Sequence, residues 1–190
     1  MPELISIAIM AILTSNIVSF AGVGAISLQS EKRSFKFMLI SSISVITIFV
    51  LTGMMTFVFE KFVLVPLNAE FLKLYIIVLI VVVFAFIEKI ILKKASREMY
   101  FLYEKSYSLP ITVAVVVGSV LMVDFSFSFG LVMFELAMFS VGYVLVQVIF
   151  YALFERLDNT KVLKPARNVP LMLFTLSIVG MILYAVSLFF

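Results

Sequence analysis

The amino-acid sequence predicts an all-α integral membrane protein with six transmembrane helices. Three observations carry that expectation. Of the 190 residues, 64% are hydrophobic and 13% are charged. A soluble domain is roughly 45–50% apolar and about 25% charged. Long runs without a charged side chain recur along the chain, and the basic residues collect in alternate connections. A water-soluble enzyme, a nucleic-acid binder and a disordered chain are excluded. The 14 basic and 11 acidic side chains cannot solvate the surface that a globule of this length exposes. Most of that surface belongs in a lipid bilayer.

A spanning helix needs about 20 mostly apolar residues. Residues 4–30 carry no charge and form the first span. Glu3 is the only early charge and no basic stretch precedes the apolar run, so this segment does not read as a cleaved signal peptide. Residues 37–59 form the second span. The third covers 71–92, around a charge-free stretch from 74 to 87. The fourth, 106–123, is charge-free but short. The fifth, 125–154, is interrupted only by Glu135, and the sixth, 168–190, is charge-free. The whole chain, 1–190, reads as one transmembrane domain. Residues 1–92 make a first three-helix half, 93–108 a cytoplasmic amphipathic connection, and 109–190 a second half.

Direction follows from the cations. Lys32, Arg33 and Lys36 lie between spans one and two. Lys89, Lys93, Lys94, Arg97 and Lys105 lie between three and four. Arg156, Lys161, Lys164 and Arg167 lie between five and six. Only Lys61 and Lys73 lie around the second connection, and the fourth offers only Asp124. Twelve of the 14 basic residues therefore fall on one side. The positive-inside rule places that side in the cytoplasm and both termini outside. The net charge of +3 says less than this placement.

Three spans on either side of the long basic connection insert in opposite senses. That arrangement permits an inverted 3+3 repeat, common among transporters. Each half opens on an unusual helix. Span one holds Gly22 and Gly24, and span four starts at Pro110, contains Gly118 and is short. Such features mark discontinuous helices beside a midplane site. Small residues equally serve close helix packing.

The absences also narrow the chemistry. The chain has no Cys and no His, which excludes disulfides, thiolate metal sites and imidazole ligation. It has no Trp, so 21 Phe and 7 Tyr supply the interfacial aromatics.

Several strings, in order, resemble those of one membrane-protein family. They are Val65-Pro66-Leu67-Asn68, Phe71-Leu72-Lys73, Val81-Val82-Val83 with Phe86-Ile87-Glu88, and Lys93-Lys94-Ala95-Ser96 with Tyr100. Leu109-Pro110-Ile111-Thr112, Val141-Gly142, Glu155-Arg156-Leu157, Pro165 and Arg167 follow. Together they resemble the six-helix membrane subunits of the Rnf and Nqr ion-pumping oxidoreductases, most of all the A subunit of Rnf and the E subunit of Nqr. The resemblance covers nearly the whole chain and rests on order and spacing, since no single string is diagnostic. It implies a multi-pass protein of the bacterial cytoplasmic (inner) membrane. It also implies partners: an oppositely inserted homologous subunit, plus other electron-transport subunits of an ion-coupled translocase.

The chain departs from that family where the family binds its cofactor. The family's span-one Cys position falls on Gly24, in Phe20-Ala21-Gly22-Val23-Gly24-Ala25, and its span-four Cys position falls on Ala114. In the family, those cysteines and two from the sister subunit hold an intramembrane [2Fe–2S] cluster. Gly and Ala offer no ligand atom, and no His replaces the thiolates. The expectation is therefore that this chain binds no cofactor itself, with flavin or iron–sulfur groups on partner subunits. The neighbouring family Pro and Asn positions hold Ala25 and Val113, which fits natural divergence better than targeted removal of cysteine.

Charged groups inside lipid are costly, so each has two readings. Glu88, followed by Lys89 at the cytoplasmic end of span three, is either an interfacial pair with outward-reaching stems or a functional carboxylate, on the ion path or at a subunit contact. Glu135 lies about 15 Å along a helix that starts at span five's outer edge. It has no obvious family equivalent and should face a protein interface or polar cavity. Asp124 reads as a turn or helix-cap residue, and Asn16 and Gln147 as bonds between helices. Tyr100, Phe101, Tyr103 and Tyr107 among their basic neighbours read as a lipid-surface anchor or as a docking surface for a cytoplasmic subunit.

No nucleophile, base and oxyanion constellation is visible, so the chain reads as non-catalytic alone. The leading expectation is a membrane subunit of an ion-coupled electron-transport complex. It would form part of the electron or ion path without its own iron–sulfur ligands. The alternative is a small-molecule (vitamin-type) membrane transporter component, which six helices in this length suit equally.

Overall fold

The computed structural model describes residues 8, 11–12, 35–95, 100, 109–121, 123–158, 174, 177–178, 181–182 and 185. Every regular element among them is helical. Helix α1 runs Phe35–Phe59, α2 Lys73–Ala95, α3 Leu109–Val120 and α4 Phe129–Asp158. Three helical stretches among the described residues are long and apolar enough to cross a membrane: Ser42–Leu64, which runs on past α1, Lys73–Lys94 and Phe129–Ile149. They correspond to the second, third and fifth expected spans. The first span, with Gly22, Gly24 and Asn16, lies almost entirely outside the described residues, and so does most of the sixth.

Helix α1 is followed by a π-helical turn, Glu60–Leu64. The Val65 N–H bonds the Glu60 carbonyl, five residues back, at 3.0 Å. Pro66 follows directly; it has no N–H to give and its ring needs room in the preceding turn. A wider turn provides that room. The helix then ends in a Schellman closure. Asn68 N–H bonds the Val65 carbonyl at 3.2 Å and Ala69 N–H bonds the Leu64 carbonyl at 3.0 Å. Asn68 sits at the left-handed position with φ 51°. Asn takes that conformation more readily than any branched residue. The Val65-Pro66-Leu67-Asn68 string is thus a helix stop. A short 3-10 turn, Glu70–Leu72, leads into α2.

Helix α1 pairs antiparallel with α4. The ring pairs Phe35–Tyr151, Phe49–Phe139 and Phe57–Phe129 have centroids 5.7, 5.5 and 5.3 Å apart. Midway between the last two pairs, Gly53 lies against Leu136. An ideal Cβ on Gly53 would stand 2.6 Å from Leu136 Cδ2. The missing side chain is what lets the two backbones approach.

The buried core gathers Val45, Ile48 and Phe49 of α1, Ile77, Val81 and Ala85 of α2, and Val115, Val116 and Val120 of α3. Leu136, Phe139 and Tyr143 of α4 complete it, and Ala11 joins from the first segment. The outward side is also apolar. Tyr75, Leu79, Phe86 and Ile90 of α2 are exposed. So large an apolar surface fits lipid or a partner protein, not water. Phe62 and Phe71, the most exposed aromatics among the described residues, flank the α1–α2 turn, where aromatic side chains suit a membrane interface.

Candidate functional site: a buried polar level between α1 and α4

Three oxygens stand out inside this apolar core. Thr52 Oγ1, Thr56 Oγ1 and Glu135 Oε2 are buried and have no hydrogen-bond partner. Their residues are 0%, 1% and 9% exposed. Hydroxyls on apolar helices ordinarily bond the carbonyl one turn back. Ser42, Thr47, Ser119 and Ser140 do so here, at 2.7–2.9 Å. Thr52 and Thr56 do not.

The helix register sets all three at one level. Thr52 and Thr56 flank Gly53, and Glu135 immediately precedes the Leu136 against which Gly53 packs. The Phe49–Phe139 and Phe57–Phe129 pairs bracket the level from either side. Helix α4 starts at Phe129, not at the 125 edge expected from sequence. Glu135 therefore lies about 9 Å into its helix and not 15 Å. The difference is the Asp124–Ser128 turn. Asp124 Oδ1 accepts the Ser126 N–H at 2.9 Å in an Asx turn, and the Ser128 carbonyl accepts the Val132 N–H at 3.0 Å as α4 begins. Asp124 is thus a turn residue, and the helix opens several residues later. Hydrogen bonding from Ser126 holds its carboxyl below the usual carboxylate range, and nearby Lys73 adds to this against a small opposing effect of burial.

Lys73 ties the outer turns together. Its Nζ lies 2.9 Å from Glu60 Oε2 and 4.9 Å from the centre of the Phe125 ring. The start of α2, the end of α1 and the α3–α4 turn therefore converge on one cation.

Glu88 belongs to a different level. Ser44 Oγ donates to Glu88 Oε1 and links α1 to α2. Ser44 is nine residues from Gly53, about 14 Å along α1. The two carboxylates singled out in the sequence are thus not one site. Lys89 and Lys93 both approach the Tyr100 ring, each 5.9 Å from its centre. Phe101, Tyr103 and Tyr107 lie outside the described residues. Gln147 Nε2 donates to Tyr143 Oη at 3.0 Å. That bond lies within α4, so the expected bond between helices is not what this pair makes.

Pro110 stands in the first turn of α3, where its missing N–H costs nothing. Gly118 lies near the other end, and the helix is continuous between them. Ala114 is on the same helix. Sequence reading missed Thr52 and Thr56. The available signal was a pair of hydroxyls one turn apart around a glycine, in a span with no charge.

No family model matches the chain. Two curated proteins are similar to it. Each is named as the A subunit of an ion-translocating oxidoreductase complex, one from Actinobacillus pleuropneumoniae serotype 5b (strain L20) and one from serotype 3 (strain JL03). Each is 32% identical over 139 residues, covering 71% of this chain and 72% of the relative.

Proposed function

The chain belongs to the family of the A subunit of the ion-translocating oxidoreductase complex, and on that footing we propose that it serves as a membrane subunit of an Rnf-like complex. In this reading it forms part of the transmembrane electron or ion path. The observation that carries the reading is the 32% identity to relatives so named, over nearly three quarters of either chain. The three spanning helices support it.

The finer arrangement is part of the same proposal. Six spans form an inverted 3+3 repeat with a discontinuous first helix and both termini outside, in a bacterial inner membrane; the fourth-span helix, expected to break at Pro110 or Gly118, is instead continuous over Leu109–Val120. The partner is a homologous subunit inserted the other way. The distribution of basic residues supports the orientation.

An intramembrane iron–sulfur cluster held partly by this chain does not fit its residues. The chain contains no Cys and no His, and Gly24 and Ala114 carry no donor atom. Redox groups are accordingly placed on partner subunits, with this chain supplying helices and polar positions such as Glu88 and Glu135.

Purification of the tagged full chain from its native membrane tests the reading. Flavin- or iron-bearing subunits should co-purify, with a second six-helix chain among them. Isolation of the chain without redox partners, together with tight binding of a vitamin, would establish the transporter alternative instead.

A further inference from the structure

We propose that Thr52, Thr56 and Glu135 form a binding site for a small monovalent cation. The site deepens the ion-translocating role above and rests on it for purpose, while its existence is a property of this chain alone.

A buried hydroxyl or carboxyl oxygen without a partner sacrifices about 1–3 kcal/mol, and more when charged. One such oxygen could be a packing accident. Here three occur at one level of two helices that touch at Gly53 and Leu136. The two threonines forgo the bond to the carbonyl one turn back that Ser42, Ser119 and Ser140 make in the same core. Their hydroxyls are therefore available to something other than their own helix.

The donor set indicates what that something is. Hydroxyl and carboxylate oxygens are hard ligands suited to hard cations. Glu135 accepts the Asp124 N–H, and the Asp124 carboxylate itself lies in the exposed turn, so Glu135 is the one buried carboxylate at this level among the described residues; it balances one positive charge and leaves a divalent ion uncompensated in a medium where net charge is costly. Among the described residues no three of His, Cys, Asp and Glu come together. Two cations among them lie around this end and both are engaged, Lys73 by Glu60 and the Phe125 ring and Lys61 by the Phe57 ring. A sodium-sized ion would satisfy all three oxygens at once, without a lysine. The level lies about 9 Å from the start of α4, shallow enough to load from the side of the α3–α4 turn.

The test is equilibrium binding of radioactive sodium to the purified full chain in lipid nanodiscs, against a choline background. Wild type should bind one sodium per chain. Glu135→Gln should abolish binding. Thr52→Val and Thr56→Val should each weaken it about tenfold, as expected for loss of one oxygen from a buried charged site. Measured without sodium, the same two valine variants should melt no lower than wild type, because each removes an unpaired hydroxyl. A purely structural role would instead lower both midpoints and leave binding untouched. No binding by wild type, survival of binding in Glu135→Gln, or indifference to both valine substitutions overturns the site. Those outcomes leave the place in the complex standing, since that depends on co-purification. Loss of co-purification with sodium binding intact separates the two in the other direction.

Discussion

Replacing Gly53 by Ala probes the closest approach of the two central helices. The ideal methyl would lie 2.6, 2.8 and 3.3 Å from Cδ2, Cδ1 and Cγ of Leu136. Comfortable carbon–carbon separations are about 3.5–4.0 Å, so something must move by about 1 Å. Leu136 has little freedom to move. It is 1% exposed, and Val132 and Phe139, on the same face of α4, are fully buried. Overpacking of this kind costs about 1–3 kcal/mol. The better helix propensity of Ala returns up to about 1 kcal/mol. Gly53→Ala should therefore destabilise the chain by about 1 kcal/mol, within a range of roughly 0–2. Leu136→Ala alone should cost about 2–5 kcal/mol, because it leaves a cavity. The double variant is the informative one. With the leucine branches gone, the methyl added at position 53 enters space that is now empty. The pair should be more stable than the sum of the singles by about 1–2 kcal/mol. Unfolding in mixed micelles at fixed lipid composition, followed by circular dichroism, measures all four corners of the cycle. Additivity within about 0.5 kcal/mol would refute the packing argument.

The remaining predictions concern the outer turns and the link to α2. Asn68→Val forces a branched residue into a left-handed position, and should cost about 1–3 kcal/mol, whereas Asn68→Gly should be nearly neutral; equal midpoints for the two variants would contradict the Schellman closure. Lys73→Met removes both the Glu60 pair and the Phe125 ring contact. A loss of about 1 kcal/mol is expected, smaller in molar salt because the ion pair is partly screened. The Asp124 carboxyl is held below its ordinary range by Ser126, so its contribution is complete above that range and fades as pH falls through it toward the folded value. Asp124→Asn should accordingly flatten the acid limb of a stability-versus-pH curve and leave the neutral region's slope unchanged. Ser44→Ala should disturb Glu88, the acceptor of its hydroxyl, and lower thermal stability; a rise in the melting midpoint would show that the bond does not stabilise the fold.

Much of the helical framework could be read from charge and apolarity because lipid imposes a coarse rule: a run of apolar residues must form a helix to satisfy its backbone. The stretches 37–59 and 71–92 land within a few residues of α1 and α2. The fifth helix begins later than its apolar run for a physical reason. Phe125 and Phe127 look like membrane residues by side chain, yet the Asp124 Asx turn and Ser128 hold their backbone outside the helix. Apolarity reports where side chains go, and turn chemistry reports where the helix starts. The candidate site was half visible. Glu135 stands out because a carboxylate in an apolar run is rare. Thr52 and Thr56 do not, since threonine is an ordinary membrane residue whose hydroxyl usually folds back on its own helix. Only the geometry separates them from Thr47, which makes that bond.

The placement of polar groups also bears on how an ion would cross. Two levels of the described helices hold a carboxylate: Glu135 with Thr52 and Thr56 toward one end, and Glu88 with Ser44 toward the other, while the Ser140 hydroxyl between them is taken up by the Leu136 carbonyl. Between them lie Ile48, Phe49, Val81, Ala85 and Phe139, all nearly or fully buried, with the two phenylalanine rings in contact. A packed apolar layer offers a bare ion no hydration and no ligand, so it is a barrier. An ion held at the first level cannot reach the second through this layer as it stands. Either the α1–α4 interface opens, or the route runs along a face completed by another subunit. The Gly53–Leu136 approach lies next to the first level, so a side chain added there acts directly on the α1–α4 interface. A substitution that wedges that interface should therefore alter ion exchange at Glu135 before it alters the Ser44–Glu88 link, which joins α1 to α2 on the other side of the layer.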